Sequence, residues 1–124
     1  MNAPPVTIKE GPFQSEIIRL AQMFGWRVFH VNDSRKEVRS RGISFLVGDE
    51  QARGWPDLAL AHPRWHVFAV RELKSNTGQE AVAQREWLSL LALCGIDAAV
   101  WRPRDWDELI VPFLTKRPAQ SRAA

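Results

Sequence analysis

In the stretch GWPDLALAHPRWHVFAVRELKS, residues 54–75, Asp57 and Glu72 border two apolar runs and Lys74 follows Glu72 at an offset of two. Side chains two apart on a strand share a face, roughly 7 Å from each other, so Glu72 and Lys74 project together on the side that carries Phe68 and Val70. In a hairpin the start of one strand lies beside the end of the next, which brings Asp57 close to Glu72. Two such carboxylates repel, and at a core edge they also lose solvation, so something must compensate. A divalent cation does so, since Mg²⁺ takes one or two carboxylates together with waters and phosphate oxygens. A metal so held lowers the pKa of its bound water and polarises a phosphodiester, and Lys74 would orient the attacking water or stabilise charge on phosphorus. An E-x-K triplet alone is ordinarily a solvated ion pair. Asp57 and two further polar residues shift the balance here.

Those two are Gln84 and Glu16. Gln84 lies four and seven residues before Leu88 and Leu91, on a helix face that should look at the sheet. Glu16 stands likewise before Leu20 and Met23. Each is either a boundary residue reaching solvent or a contributor to one site.

The elements that must position them follow from periodicity and punctuation. Pro12 and Gly25 frame a first helix, FQSEIIRLAQMF, with Phe13, Ile17, Leu20, Ala21 and Phe24 on one apolar face. WRVFHV reads as a strand, and GISFLVG, beyond a basic stretch, as the second strand of a hairpin. DLALA and HVFAV, joined by HPR, read as an antiparallel pair covered on both faces. A second helix runs from about Glu80 to Cys94 and is closed by Gly95; IDAAVWR is a further strand. Asp105 and Glu108 are spaced as a capping box for a last helix through about Leu114. This is a mixed α/β domain with helices packed over a small central sheet.

The whole chain of 124 residues fits one domain, residues 12–115, between a flexible N-terminal arm (1–11) and a flexible basic tail (116–124). Hydrophobic content of 45% and charged content of 25% are those of a soluble globular protein, and no apolar run approaches a membrane span. With no secretory signal in MNAPPVTIKEGP, a cytoplasmic protein is expected. Cys94, the single cysteine, reads as a core thiol, and the spacing of the three histidines makes no zinc site. Net charge is +3, and basic residues cluster in SRKEVRSR, where Arg35, Lys36, Arg39 and Arg41 could track a phosphate backbone, as could Arg53. Of six tryptophans, Trp26, Trp87 and Trp101 read as core, while Trp55 either braces the strand start or packs at the mouth of a site.

Taken in order, Glu16, Gly25-Trp26, GWPDL at 54–58, RELKSNTG at 71–78, Gln84 ahead of a Trp-Leu helix and the closing GIDAAVWRP resemble the PD-(D/E)xK nuclease superfamily. More narrowly, the chain resembles a stand-alone VRR-NUC domain over Phe13 to Arg102, although its loop HVNDSRKEVRS is less Gly-rich than the family pattern. The resemblance implies a restriction-endonuclease-like αβββαβ core, a central mixed sheet flanked by helices, here with an extra C-terminal helix. It implies Mg²⁺- or Mn²⁺-dependent cleavage of DNA by a homodimer, on branched substrates such as Holliday junctions, with no nucleotide cofactor and no membrane partner. Asp57, Glu72 and the backbone carbonyl of Leu73 would be metal ligands, Lys74 the catalytic lysine, and Gln84 and Glu16 supporting residues. Two other readings stay open: a non-catalytic DNA-binding module on the same fold, and a restriction-type subunit that needs a specificity partner.

Overall fold

The computed structural model describes residues 10–30, 37–40, 43–46 and 52–119. Its elements are α1 (Glu10–Met23), β1 (Arg27–His30), β2 (Glu37–Ser40), β3 (Ile43–Leu46), β4 (Leu58–His62), β5 (Val67–Leu73), α2 (Val82–Leu93) and β6 (Asp97–Trp101). A helical run over 103–115 follows and ends in α3 (Val111–Thr115). Four strands form one mixed sheet in the order β1-β4-β5-β6, the first three antiparallel and β6 parallel to β5. The chain is therefore an α/β domain whose four-stranded sheet is flanked by helices. No helix among the described residues is long and apolar enough to cross a membrane.

The core lies on one face of the sheet. Phe13, Ile17 and Ala21 of α1 pack with Leu58 and Leu60 of β4, Val67 and Leu73 of β5, Trp101, and Ile110 and Leu114 of the C-terminal run. Each fully buried aliphatic side chain of this kind contributes about 1.5–3 kcal/mol. The Trp26 indole N–H donates to the Leu114 carbonyl at 2.9 Å, fastening the end of α3 to the start of β1. The hairpin between β4 and β5 is fastened through His62. Its Nδ1 accepts the backbone N–H groups of Arg64 and Trp65 at 3.3 and 3.1 Å, so the ring proton sits on Nε2 and is donated to the Phe24 carbonyl at 2.7 Å. Gly25, with φ +93°, turns the chain here, and a Cβ on it would come within 3.0 Å of that same Nε2.

Several expectations need correction. GISFLVG does not pair with β1: β3 pairs with β2, inside the basic stretch, while β1 takes β4 as its neighbour. Only two residues separate β2 from β3, so the local hairpin closes easily, and the apolar β4 is left to complete the sheet. The β4–β5 pair is not covered on both faces. Leu58, Leu60 and His62 are buried while Ala61 is exposed, and Phe29 and Phe68 on the second face are 64% and 49% exposed. Helix α2 lies against that second face along β6, and its Gln84 reaches Glu72 near the end of β5. Cys94 is exposed rather than a core thiol, because it stands past the last turn of α2. Phe24, beyond the last turn of α1, is likewise exposed.

The C-terminal run starts earlier than the Asp105/Glu108 spacing predicts. Pro103 takes its first position, and Asp105 reaches back to accept the Arg102 N–H at 2.8 Å. Beyond it the turn is wide, with the Val111 N–H reaching the Trp106 carbonyl. Pro112, which has no N–H to give to Glu108 and crowds its carbonyl, accounts for that widening.

Candidate functional site

Strand register builds the site. Leu58 pairs with Arg71, so Asp57 lies one step further along, level with Glu72 and on the same face of the sheet. The Asp57 Oδ2 accepts the backbone N–H of Leu73 at 2.8 Å, fixing this carboxylate to the end of β5. Glu72 is only 2% exposed. Two side chains meet on its Oε2: the Gln84 Nε2 donates at 2.6 Å and the Lys74 ammonium lies at 3.7 Å. Gln84 cannot swap its amide ends, because its Oε1 accepts the Ala81 N–H at 2.8 Å in the first turn of α2. The Lys74 N–H donates to the Trp101 carbonyl at 3.1 Å and so extends the β5–β6 ladder one residue past the strand. Lys74 thus leaves the sheet from a fixed point.

Helix α2 is brought to this place by the segment before Asp57. Gly54 has φ +88°, and a Cβ there would lie 2.5 Å from the Ala83 carbonyl carbon and 2.8 Å from the Gln84 nitrogen. Only glycine permits so close an approach to the first turn of a helix. Next to it Trp55 packs edge-on against Trp87 of α2, ring centroids 4.8 Å apart, so its role in the structure is that of a brace. The loop from Lys74 to α2 is held by arginines at its carbonyls: Arg102 on Ser75 and Gly78, Arg104 on Asn76 and Arg85 on Glu80.

The structure brings Asp57, Glu72, Lys74 and Gln84 together, with the buried Leu73 between two of them. Glu16 is not brought into contact with them among the described residues. Its side chain is 56% exposed and pairs with Arg19 at 2.7 Å on α1 itself, and α1 packs on the face of Leu58, Leu60 and Leu73, opposite that of Glu72. Arg35, Lys36 and Arg41 lie outside the described residues. Arg39 stands in β2 opposite Ser44, and Arg53 is exposed just ahead of Gly54. An open groove of about 510 Å³ on the sheet, lined by Arg27, Phe29, Ala59 and Phe68 among others, contains none of the four.

Two arginines escaped the sequence reading. Arg71 is buried; its Nη1 donates to the Val70 and Asp97 carbonyls at 2.9 Å and pairs with the Asp97 carboxylate at 3.1 Å. Its guanidinium lies over the rings of Trp101 and Phe113, 4.7 and 4.8 Å from their centroids. Burial pulls its pKa below the ordinary arginine value, and Asp97 partly opposes the shift. The only sequence signal was a charge directly after VFAV. Arg102 left a fainter one, a cation just past a strand, because its acceptors are backbone carbonyls.

Among the described residues no group of three or more His, Cys, Asp or Glu side chains could hold a metal ion. A pair of carboxylates and a backbone carbonyl is a different donor set. It suits a hard cation that keeps most of its waters, as Mg²⁺ does, so Asp57, Glu72 and the Leu73 carbonyl fit one. No family model, curated protein or solved structure matches the chain.

Proposed function

We propose that this chain is a metal-dependent endonuclease of the PD-(D/E)xK type, similar to a VRR-NUC domain, that hydrolyses DNA phosphodiester bonds in branched substrates such as Holliday junctions. The observation that carries the reading is the meeting of Lys74 and Gln84 on one oxygen of a buried Glu72, level with Asp57. A structural ion pair needs neither the second carboxylate nor the oriented amide, and burying a carboxylate is costly wherever packing would serve instead. Support also comes from connectivity: helix, three-stranded antiparallel meander, helix and parallel strand follow in the order αβββαβ. On this reading the β2–β3 hairpin is an insertion and the run over 103–115 the extra C-terminal helix.

Asp57, Glu72 and the Leu73 carbonyl would hold Mg²⁺ or Mn²⁺. When bound, the ion polarises the phosphate and makes a nearby water more acidic. Lys74, fixed at the end of the ladder, donates to a non-bridging phosphate oxygen or orients the attacking water. Gln84 holds Glu72 in one rotamer. Water adds to phosphorus, the bond to one sugar oxygen breaks, and the departing oxygen ends as a hydroxyl beside a phosphate monoester. A homodimer with two equivalent sites would suit paired incisions in a junction.

Incubation of Holliday junction, flap, splayed and linear DNAs with Mg²⁺, Mn²⁺ or chelator tests this. Metal-dependent cleavage is expected, and Asp57→Ala, Glu72→Ala and Lys74→Ala should each abolish it while leaving DNA binding largely intact. Full activity in any of these variants, or no cleavage with either metal, overturns the reading.

A further inference from the structure

We propose that Arg102 is the positioning residue for the Glu72 carboxylate, acting through the loop 75–80; its part in catalysis rests on the endonuclease reading above. Lys74 and Gln84 approach Glu72 from opposite ends of that loop, so its shape decides whether both reach the same oxygen. Arg102 holds the shape. Its Nη1 donates to the Ser75 and Gly78 carbonyls, each at 2.6 Å, and its Nη2 lies 4.0 Å from the Glu80 carboxylate. The Gly78 N–H in turn donates to the Ser75 hydroxyl oxygen at 2.9 Å, which closes a turn with both carbonyls on the arginine.

The anchor is itself fixed at both flanks. The Arg102 N–H is held by Asp105, and the carbonyl of the preceding Trp101 holds the N–H of Lys74. One strand end therefore sets the root of Lys74 and, through the arginine, the path from Lys74 to α2. Arg85 and Arg104 hold one loop carbonyl each from exposed positions, whereas the Arg102 side chain is 16% exposed and spans the loop. The partners of the Arg102 side chain are Ser75, Gly78 and Glu80, all in the loop, so it acts on Glu72 through Lys74 and Gln84 at the loop's two ends.

The test compares Arg102→Met, which keeps the apolar stem and removes the donors, with Arg102→Lys, whose single nitrogen can still serve two carbonyls. The first readout is exchange of the Gln84 side-chain amide protons by NMR in the protein without metal or DNA. The second is kcat and KM for metal-supported cleavage of a junction. Arg102→Met should exchange the Gln84 amide about 10-fold faster or more, as local opening becomes easier. Its kcat should fall about 10–100-fold, as for a lost outer partner of a metal ligand, with KM within about twofold of the parent. Arg102→Lys should recover part of both.

A folded Arg102→Met with parental Gln84 exchange and kcat overturns the proposal. Should Arg102→Met not fold, an Arg102→Lys indistinguishable from the parent in both readouts, despite its shorter reach and lost Glu80 contact, overturns it instead. Faster Gln84 exchange in Arg102→Met beside a parent that cleaves nothing supports the positioning of Glu72 and overturns the endonuclease reading.

Discussion

Glu72 is a carboxylate taken almost wholly out of water, and its neighbours show how it is kept there. A hydrogen bond from a neutral amide to an ionised oxygen is stronger than one between neutral groups, and Gln84 makes it at 2.6 Å with its own orientation fixed by Ala81. Removing that donor leaves a buried charge with less to hold it. Gln84→Leu is therefore expected to lose about 1–3 kcal/mol of stability in urea denaturation. Gln84→Glu should be worse at neutral pH, since it sets two carboxylates against each other. Protonation of one restores a hydrogen bond that only the folded state offers, so this variant should recover stability as pH falls. A Gln84→Glu protein equally stable across that range would show that the two side chains do not meet. Arg71 makes the contrasting case on the opposite face. Burial already disfavours its cation, and much of its contribution is a stem and a flat group packed against Trp101 and Phe113. Arg71→Met should stay within about 1.5 kcal/mol of the parent, whereas Arg71→Ala, which opens a cavity, should lose about 2–5 kcal/mol. Equal losses in the two variants would assign the stability to the Asp97 ion pair instead.

Elements place these residues, and the glycines at their junctions separate steric contact from backbone strain. Gly54 and Gly95 have nearly the same φ, +88° and +87°, yet a Cβ at Gly54 would strike the backbone of α2 while one at Gly95 meets nothing within 4 Å. Gly95→Ala should then lose only the left-handed penalty, about 1–2 kcal/mol. Gly54→Ala should lose more, and α2 should move off the sheet, seen as a changed near-ultraviolet signal from the Trp55–Trp87 pair. Equal effects at both positions would mean that Gly54 does not seat the helix. The same elements show what a sequence can disclose. The β4–β5 hairpin, α2 and β6 were legible from apolar periods and their Gly and Pro punctuation, as was α1, although it begins at Glu10, two residues ahead of the Pro12 start and within the expected arm. Asp57, Glu72, Lys74 and Gln84 were legible because each stands at the end of such an element, where register is fixed by a period of two or of 3.6. Glu16 had the same spacing signal, but spacing alone did not tell which face of the sheet α1 would cover. The β2–β3 pairing was hidden because strand partners are a tertiary choice, and the one-sided cover of the sheet because it depends on the path of α2. Arg71 and Arg102 were hidden for another reason. A guanidinium that serves carbonyls and rings has the same one-letter code as one in solvent.

At the scale of the whole molecule the domain is lopsided: one face of the sheet carries the core, and the other carries the site at one end and exposed Phe29 and Phe68 at the other. The C-terminal run is therefore part of the single core rather than an appendage. It contributes Ile110 and Leu114 to the interior, the Leu114 carbonyl to the Trp26 indole, and the Phe113 ring to Arg71. Burial of these two large aliphatic side chains is worth about 3–6 kcal/mol. Against a total of about 5–15 kcal/mol for a domain, that loss, together with the uncovering of Trp26 and Trp101, removes a large share of the stability. A chain stopped after Arg102 should accordingly show no cooperative thermal transition. Leu114→Ala, which loses about 2–5 kcal/mol, should still fold with a lowered Tm. Below that Tm it should cleave junction DNA with the parental kcat, because Leu114 packs on the core face of the sheet, opposite the face of Glu72, Lys74 and Gln84. Cooperative unfolding of the shortened chain would place the helix outside the core. A fall in kcat for folded Leu114→Ala would mean instead that packing on the core face reaches through the sheet to set the site.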